Sequence, residues 1–236
     1  MKTKSITVGE SFTTNTASLL INIFNNSPLL RAIGNIPLPS KTTKVPFTLI
    51  PEETDTEFVL GELAVTKAIK TTTALITDES IEDSTVDIDS TLMKSLVYLV
   101  NLDLEKTLVT KLKADVALTT HSETNSRDLI LKLIKSYDSA VFSIGGPMIV
   151  AVSTGTHIDL ILQENPVTEI PFIKLVASPA LSDDDVVIIP TSGVAAGYSI
   201  QAIESERLAS SGATKYHVQG TFGSTFTPVY VKRASL

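Results

Sequence analysis

Cysteine and tryptophan are both missing from this 236-residue sequence. Without cysteine there are no disulfide staples and no thiolate metal sites, and the chain suits a reducing compartment. Histidine is scarce: His121, His157 and His217 stand in separate segments, without the paired spacing of a metal-binding motif. Bases are outnumbered, 19 Lys and Arg against 26 Asp and Glu, which leaves a net charge of −7. That sign argues against nucleic-acid binding, which needs cations to meet phosphates. Long apolar runs are lacking as well. Those at 95–100 and 147–152 fall far short of the ~18 residues of a membrane span. Residues 1–16 carry two lysines but no apolar stretch of a signal peptide. No export signal and no membrane partner are predicted.

The motifs of chemistry are equally thin. There is no nucleophile elbow, phosphate loop or dinucleotide fingerprint. Gly145 and Gly146 read as turn residues, without the further glycines and lysine of a phosphate cradle. Asp183, Asp184 and Asp185 are contiguous, so their side chains should diverge, whereas calcium loops space their acids at alternate positions. No cofactor and no metal site are predicted, and a soluble α/β enzyme becomes the weakest of the available readings.

What is present is a folded chain, 43% hydrophobic and 19% charged. Residues 1–27 are rich in Thr, Ser and Asn and read as an arm with one apolar patch at 19–24. Five of the eleven prolines fall in 28–51, which predicts extended chain, either lying over a neighbour or forming an ordinary surface loop. Apolar-polar segments at 44–50 and 63–76 predict two strands of a long hairpin. Between them, residues 52–62 hold five acids and no base. An acidic tip is usually a solvated one, yet a lone hairpin is marginal in water and persists best against a partner.

Leu92, Leu96, Val100, Leu104, Leu108 and Leu112 recur every four residues, with Met93, Val97, Leu99 and Val109 widening the stripe. This predicts one amphipathic helix over about 90–113, capped by Asp89 or Ser90. Further on, helices are expected at 126–137 and 156–163, and strands at 148–152, 172–176 and 186–189. Strand is expected again over 216–232, at an edge or bulge because of Pro228.

This order of elements resembles the Hong Kong 97 type major capsid proteins of tailed phages. The most specific local match is Ile76-Thr77-Asp78-Glu79-Ser80-Ile81-Glu82-Asp83-Ser84 leading into the long helix; a second is the strand entry within 139–154. The resemblance spans about 28–231. It implies an α+β fold with an N-terminal arm (1–40), an extended β-hairpin loop (41–75), a peripheral domain (76–120 with 206–236) built on the long spine helix, and an axial α/β domain (121–205). It implies a structural subunit that self-assembles through pentamers and hexamers into an icosahedral shell. That shell would enclose double-stranded DNA without sequence-specific binding, in a virion assembled in the host bacterial cytoplasm, with a portal protein as a further partner.

The residues expected at the subunit contact are Glu52, Glu53, Asp55, Glu57 and Phe58 of the hairpin tip. Arg31, Lys111, Lys113, Lys232 and Arg233 are available as basic partners. Two departures from the family are visible. Only the Thr/Ser/Asn-rich arm precedes Pro28, which predicts a separately encoded scaffolding protein. Lys67 or Lys70 has no asparagine after Asn165 with which to crosslink. The alternative reading is an encapsulin-like nanocompartment shell, although nothing in 1–40 resembles that group's helical cargo-docking start.

Overall fold

A computed structural model of the chain describes residues 23, 25–34, 44–48, 60–77, 88–121, 123–137, 141–142, 146–163, 166–208, 211–227 and 230–235. Its first helix, α1 (Pro28–Ile33), begins within the proline-rich stretch. Pro28 takes an opening helical position, where its missing N–H would have no intrahelical partner anyway. Ser27 caps the turn, its Oγ accepting the Leu30 N–H at 3.1 Å. The expectation of extended chain from Pro28 onward is therefore corrected: prolines break helices from the interior, not from this position. Leu29 and Leu30 are buried, so α1 is anchored in this chain's own core.

Strand β1 (Lys44–Thr48) pairs antiparallel with β2 (Leu60–Ala64), in register from Lys44 opposite Ala64 to Thr48 opposite Leu60. The hairpin is thus present, but its second strand begins at Leu60 and takes in Glu62, the last acid of the expected tip. Its second strand is shorter than expected. After Val65 the chain enters β3 (Thr66–Thr77), which pairs with another part of the molecule. Pro46 falls within β1 opposite Glu62, in a sheet of two strands among the described residues.

The long helix α2 runs Ile88–Asp115, about 42 Å at 1.5 Å per residue. Asp89 and Ser90 lie inside its first turn, so neither is the cap. Leu96, Val97, Val100, Leu104, Leu108, Val109 and Leu112 are buried, and Leu99 is instead partly exposed on the opposite flank. The stripe packs on a three-stranded antiparallel sheet ordered β3-β9-β8, where β8 is Val194–Leu208 and β9 is Ala213–Phe226. Long pairings hold this sheet, from Thr66 opposite Ser224 to Thr77 opposite Ala213, with a bulge between Ile200 and Ala202. Strand β8 has no counterpart in the sequence reading. Its opening, Val194-Ala195-Ala196-Gly197, carries little β-branched or aromatic signal. An expected division at 205/206 runs through this single strand.

The second sheet is five-stranded and mixed, in the order β4-β10-β7-β5-β6. Its strands are β4 (Leu118–Thr120), β5 (Met148–Val152), β6 (Ile173–Ala177), β7 (Asp185–Pro190) and β10 (Lys232–Ser235). Strand over 216–232 therefore resolves into β9 and β10, in different sheets. Every residue of β5 and β7 is buried, because alternate side chains feed two cores. Ile149, Ala151, Val187 and Ile189 join the core around α2. Met148, Val150, Val152, Val186 and Ile188 join a second core with α3 (Ser126–Lys135), which also takes in Leu160 of α4 (Thr154–Leu162). A strand buried on both faces reads as continuous apolar sequence, which is why these two were visible.

The contiguous aspartates do diverge. Asp183 accepts from Ser153, the α4 cap, at 2.6 Å, while Asp184 faces solvent. Asp185 is buried against Lys113 at 2.6 Å and Arg233 at 3.4 Å. Burial alone would raise its pKa, but Lys113, Ser182 and Arg233 together hold it below the usual carboxylate range.

Candidate subunit interface

Of the residues expected at a subunit contact, Glu52, Glu53, Asp55, Glu57 and Phe58 lie outside the described residues, and Arg31 is exposed on α1. The expected cations separate into two groups. Lys111 pairs with Asp115 at 2.9 Å, and Lys113 and Arg233 both serve Asp185. Lys232 donates to the Ser136 carbonyl at 2.8 Å, and its Nζ sits 4.0 Å from the centre of the Tyr137 ring. These four hold the fold together. Arg31 stands apart from them, exposed on α1, whose first residue lines a cleft.

That cleft, about 670 Å³, lies where α1 meets α2, with Pro28, Val97, Leu102 and Pro179 among its apolar walls. Tyr98, 63% exposed, forms a lip, and the exposed Lys94 stands on the rim. Two polar groups reach it from α2. Glu105 is buried, accepting from the hydroxyl of Ser27 on one oxygen and from Ser178 at 2.8 Å on the other. Burial raises its pKa, and the two hydroxyls offset this only in part. Asn101, 7% exposed, has a buried Oδ1 that accepts no hydrogen bond among the described residues. Both polar groups were missed in the sequence, yet a signal existed. Val97, Asn101, Glu105 and Val109 follow one another at four-residue steps, so two polar residues interrupt one apolar row.

A second surface is apolar. Helix α4 buries Leu160 but turns Ile158, Ile161 and Leu162 outward at 53%, 47% and 78% exposure. Just before edge strand β6, Phe172 adopts φ 65°, the left-handed region that a bulky residue seldom occupies. Its half-exposed ring meets Phe142 edge-on, centroids 5.1 Å apart. Four apolar residues within 158–162 exceed what one buried stripe needs, which marks α4 in the sequence.

No family model and no curated protein matches this chain. Solved structures do. A virus-like particle from Pyrococcus furiosus superposes with a TM-score of 0.65 at 13% identity, over 96% of this chain and 100% of that one. The satellite phage P4 procapsid, which includes a size determination protein, gives 0.62 at 9% identity over 93% and 98%. Mycobacterium phage Cain gives 0.61 at 13% identity over 85% and 84%.

The fold is the Hong Kong 97 type capsid fold. Identity this low carries the fold and not the residues, so the cleft and the α4 face are features of this chain, argued from its own geometry. Among the described residues no three His, Asp or Glu side chains converge as metal ligands would. His121 and His217 each sit 3.8 Å from one glutamate, Glu123 and Glu206.

Proposed function

We propose that this chain is the major capsid subunit of a tailed phage, assembling through pentamers and hexamers into an icosahedral shell around double-stranded DNA. The observation that carries this reading is the match to shell proteins along almost the whole of both chains, including a phage procapsid. Physical support comes from surface apolarity. Ile158, Ile161 and Leu162 leave three large side chains in water on one short helix, a pattern that marks association surfaces. Closed symmetric assembly covers such a face in every copy.

In this proposal the arm (1–40) and extended loop (41–75) contact neighbours, a peripheral domain holds the spine helix, and the axial domain around α3 and α4 meets its copies at the symmetry centres. A scaffolding protein encoded elsewhere and a portal protein complete the assembly, in the bacterial cytoplasm. A second reading, a nanocompartment shell enclosing protein cargo, is favoured by the full-length likeness to the virus-like particle. Negative-stain microscopy of the purified protein, with and without phage partners, tests the shell itself. A compact monomer under every condition overturns it. Nucleic acid extracted from filled particles separates the first reading from the second, which requires protein contents instead.

A further inference from the structure

We infer that the cleft between α1 and α2 is a binding site for a small organic molecule: a planar aromatic with one N–H donor on its ring and one acidic group on a short arm. The site belongs to the single subunit, so it goes beyond the shell reading and is independent of it.

Each part of that ligand answers a feature of the cleft. The N–H answers Asn101, which is 7% exposed and whose buried Oδ1 has no donor among the described residues. A buried acceptor left without a hydrogen bond is costly, and a ring N–H removes that cost. The aromatic body answers the walls. Pro28 comes from α1, Val97 and Leu102 from α2, and Pro179 from the turn after β6, with Tyr98 largely exposed at the lip. A flat ring lying among them gains burial and an aromatic partner. The cleft, at about 670 Å³, lies within the size range of small-molecule sites, roughly 300–1,000 Å³. The acid answers Lys94, exposed on the rim with no carboxylate partner among the described residues.

Glu105 sets the direction. Its two oxygens are taken by Ser27 and Ser178, and its carboxyl disfavours a second acid deep in the cleft. The ligand's acid therefore stays at the mouth. Lys94 and Asn101 stand seven residues apart on α2, on one face and roughly 10 Å apart along the axis, so donor and acid belong at opposite ends of the molecule. One unanswered acceptor among apolar walls suits a ring with a single donor. A polypeptide would bring further backbone N–H and C=O groups that such walls leave unpaired.

The chain has no tryptophan, so an indole probe can be read without protein background. Indole-3-butyrate carries its ring N–H and its carboxylate at opposite ends. Titrated into the wild-type chain, it should bind saturably, one per subunit, with blue-shifted emission and a melting temperature that rises with probe concentration. The 1-methyl analogue lacks the donor and should bind about tenfold more weakly. Indole-3-butyramide lacks the charge and should lose about threefold, since Lys94 is exposed. Asn101→Leu should erase the first difference and Lys94→Gln the second. The analogue series uses the wild-type chain, so it decides the matter even where Asn101→Leu fails to fold. Absence of saturable binding overturns the inference and leaves the cleft to a polypeptide, from this chain or another copy. Binding that is indifferent to both analogues places the probe elsewhere, as on the exposed face of α4, and overturns it too.

Discussion

Glu105 is a carboxylate placed where an amide would be more comfortable. Its pKa is raised chiefly because burial penalises the charge, so the folded state holds the proton more tightly than the unfolded chain does. The stability deficit from this group is therefore full above the raised folded pKa. It shrinks as pH falls toward the ordinary carboxylate range and is absent below it. Glu105→Gln keeps the hydrogen-bonding shape without the charge. Its melting temperature should exceed the wild type's at neutral pH, and the two should converge in acid. Glu105→Ala should cost about 1–3 kcal/mol in urea unfolding, because Ser27 and Ser178 lose their acceptor. A different residue tests packing. A Cβ on Gly220 would collide with the Tyr198 ring, and that ring is only 3% exposed and cannot simply swing into solvent. Gly220→Ala should therefore destabilise by about 1–3 kcal/mol, read from the denaturation midpoint. Burial also raises the Tyr198 hydroxyl to a pKa of about 12, Asp103 adding to the effect. A spectrophotometric titration of the Gly220→Ala chain should show that hydroxyl ionising at lower pH if the ring has been displaced toward water.

Among the elements, α4 gives the sharpest separation of stability from association. Ile158 and Leu162 are 53% and 78% exposed, so Ile158→Asp with Leu162→Asp should leave the urea midpoint of the free subunit nearly unchanged. Assembly, followed by sedimentation velocity, should be lost. An unchanged particle yield would show that this face does not meet a neighbour. The hairpin and the long helix α2 were legible in the sequence because each is written locally, one in proline, threonine and acid clusters, the other in a leucine every fourth residue. β5 and β7 were legible because burial on both faces leaves an unbroken apolar run. What escaped was set by distant partners. β8 is a strand because β9 lies beside it, despite an opening rich in alanine and glycine. The break at Val65, which hands β3 from the hairpin to the three-stranded sheet, follows from pairing with β9 across about 150 residues of chain. α1 was hidden by reading Pro28 as a breaker when it occupies a helix start. At the cleft, Arg31, chosen from charge alone, is not among the lining residues, whereas Asn101 and Glu105 required noticing which row of the helix they interrupt.

At the scale of the whole molecule, a shell of fixed size needs identical subunits at slightly different angles, and such arrangements differ by small free energies. The apolar patch at 19–24 has no heptad repeat with which to bias that choice as a coiled coil. The proposed separate scaffold predicts that this 236-residue sequence, expressed alone, gives tubes, aberrant shells or free capsomers under the electron microscope. Uniform particles of virion size without a helper would refute the need for a scaffold. Particles boiled in detergent should run as one monomer band, since there is no cysteine and no asparagine after Asn165. The strand order of the five-stranded sheet carries a consequence of its own. β10 lies between β4 and β7, joining residues 118–120 to 185–188 through residues 232–235. A nascent subunit still lacking those four residues has a gap through the middle of its sheet, with backbone donors and acceptors unpaired on both sides. A chain cut before Lys232 therefore cannot close the sheet whose strands β5 and β7 feed both cores, and should lose its cooperative urea transition.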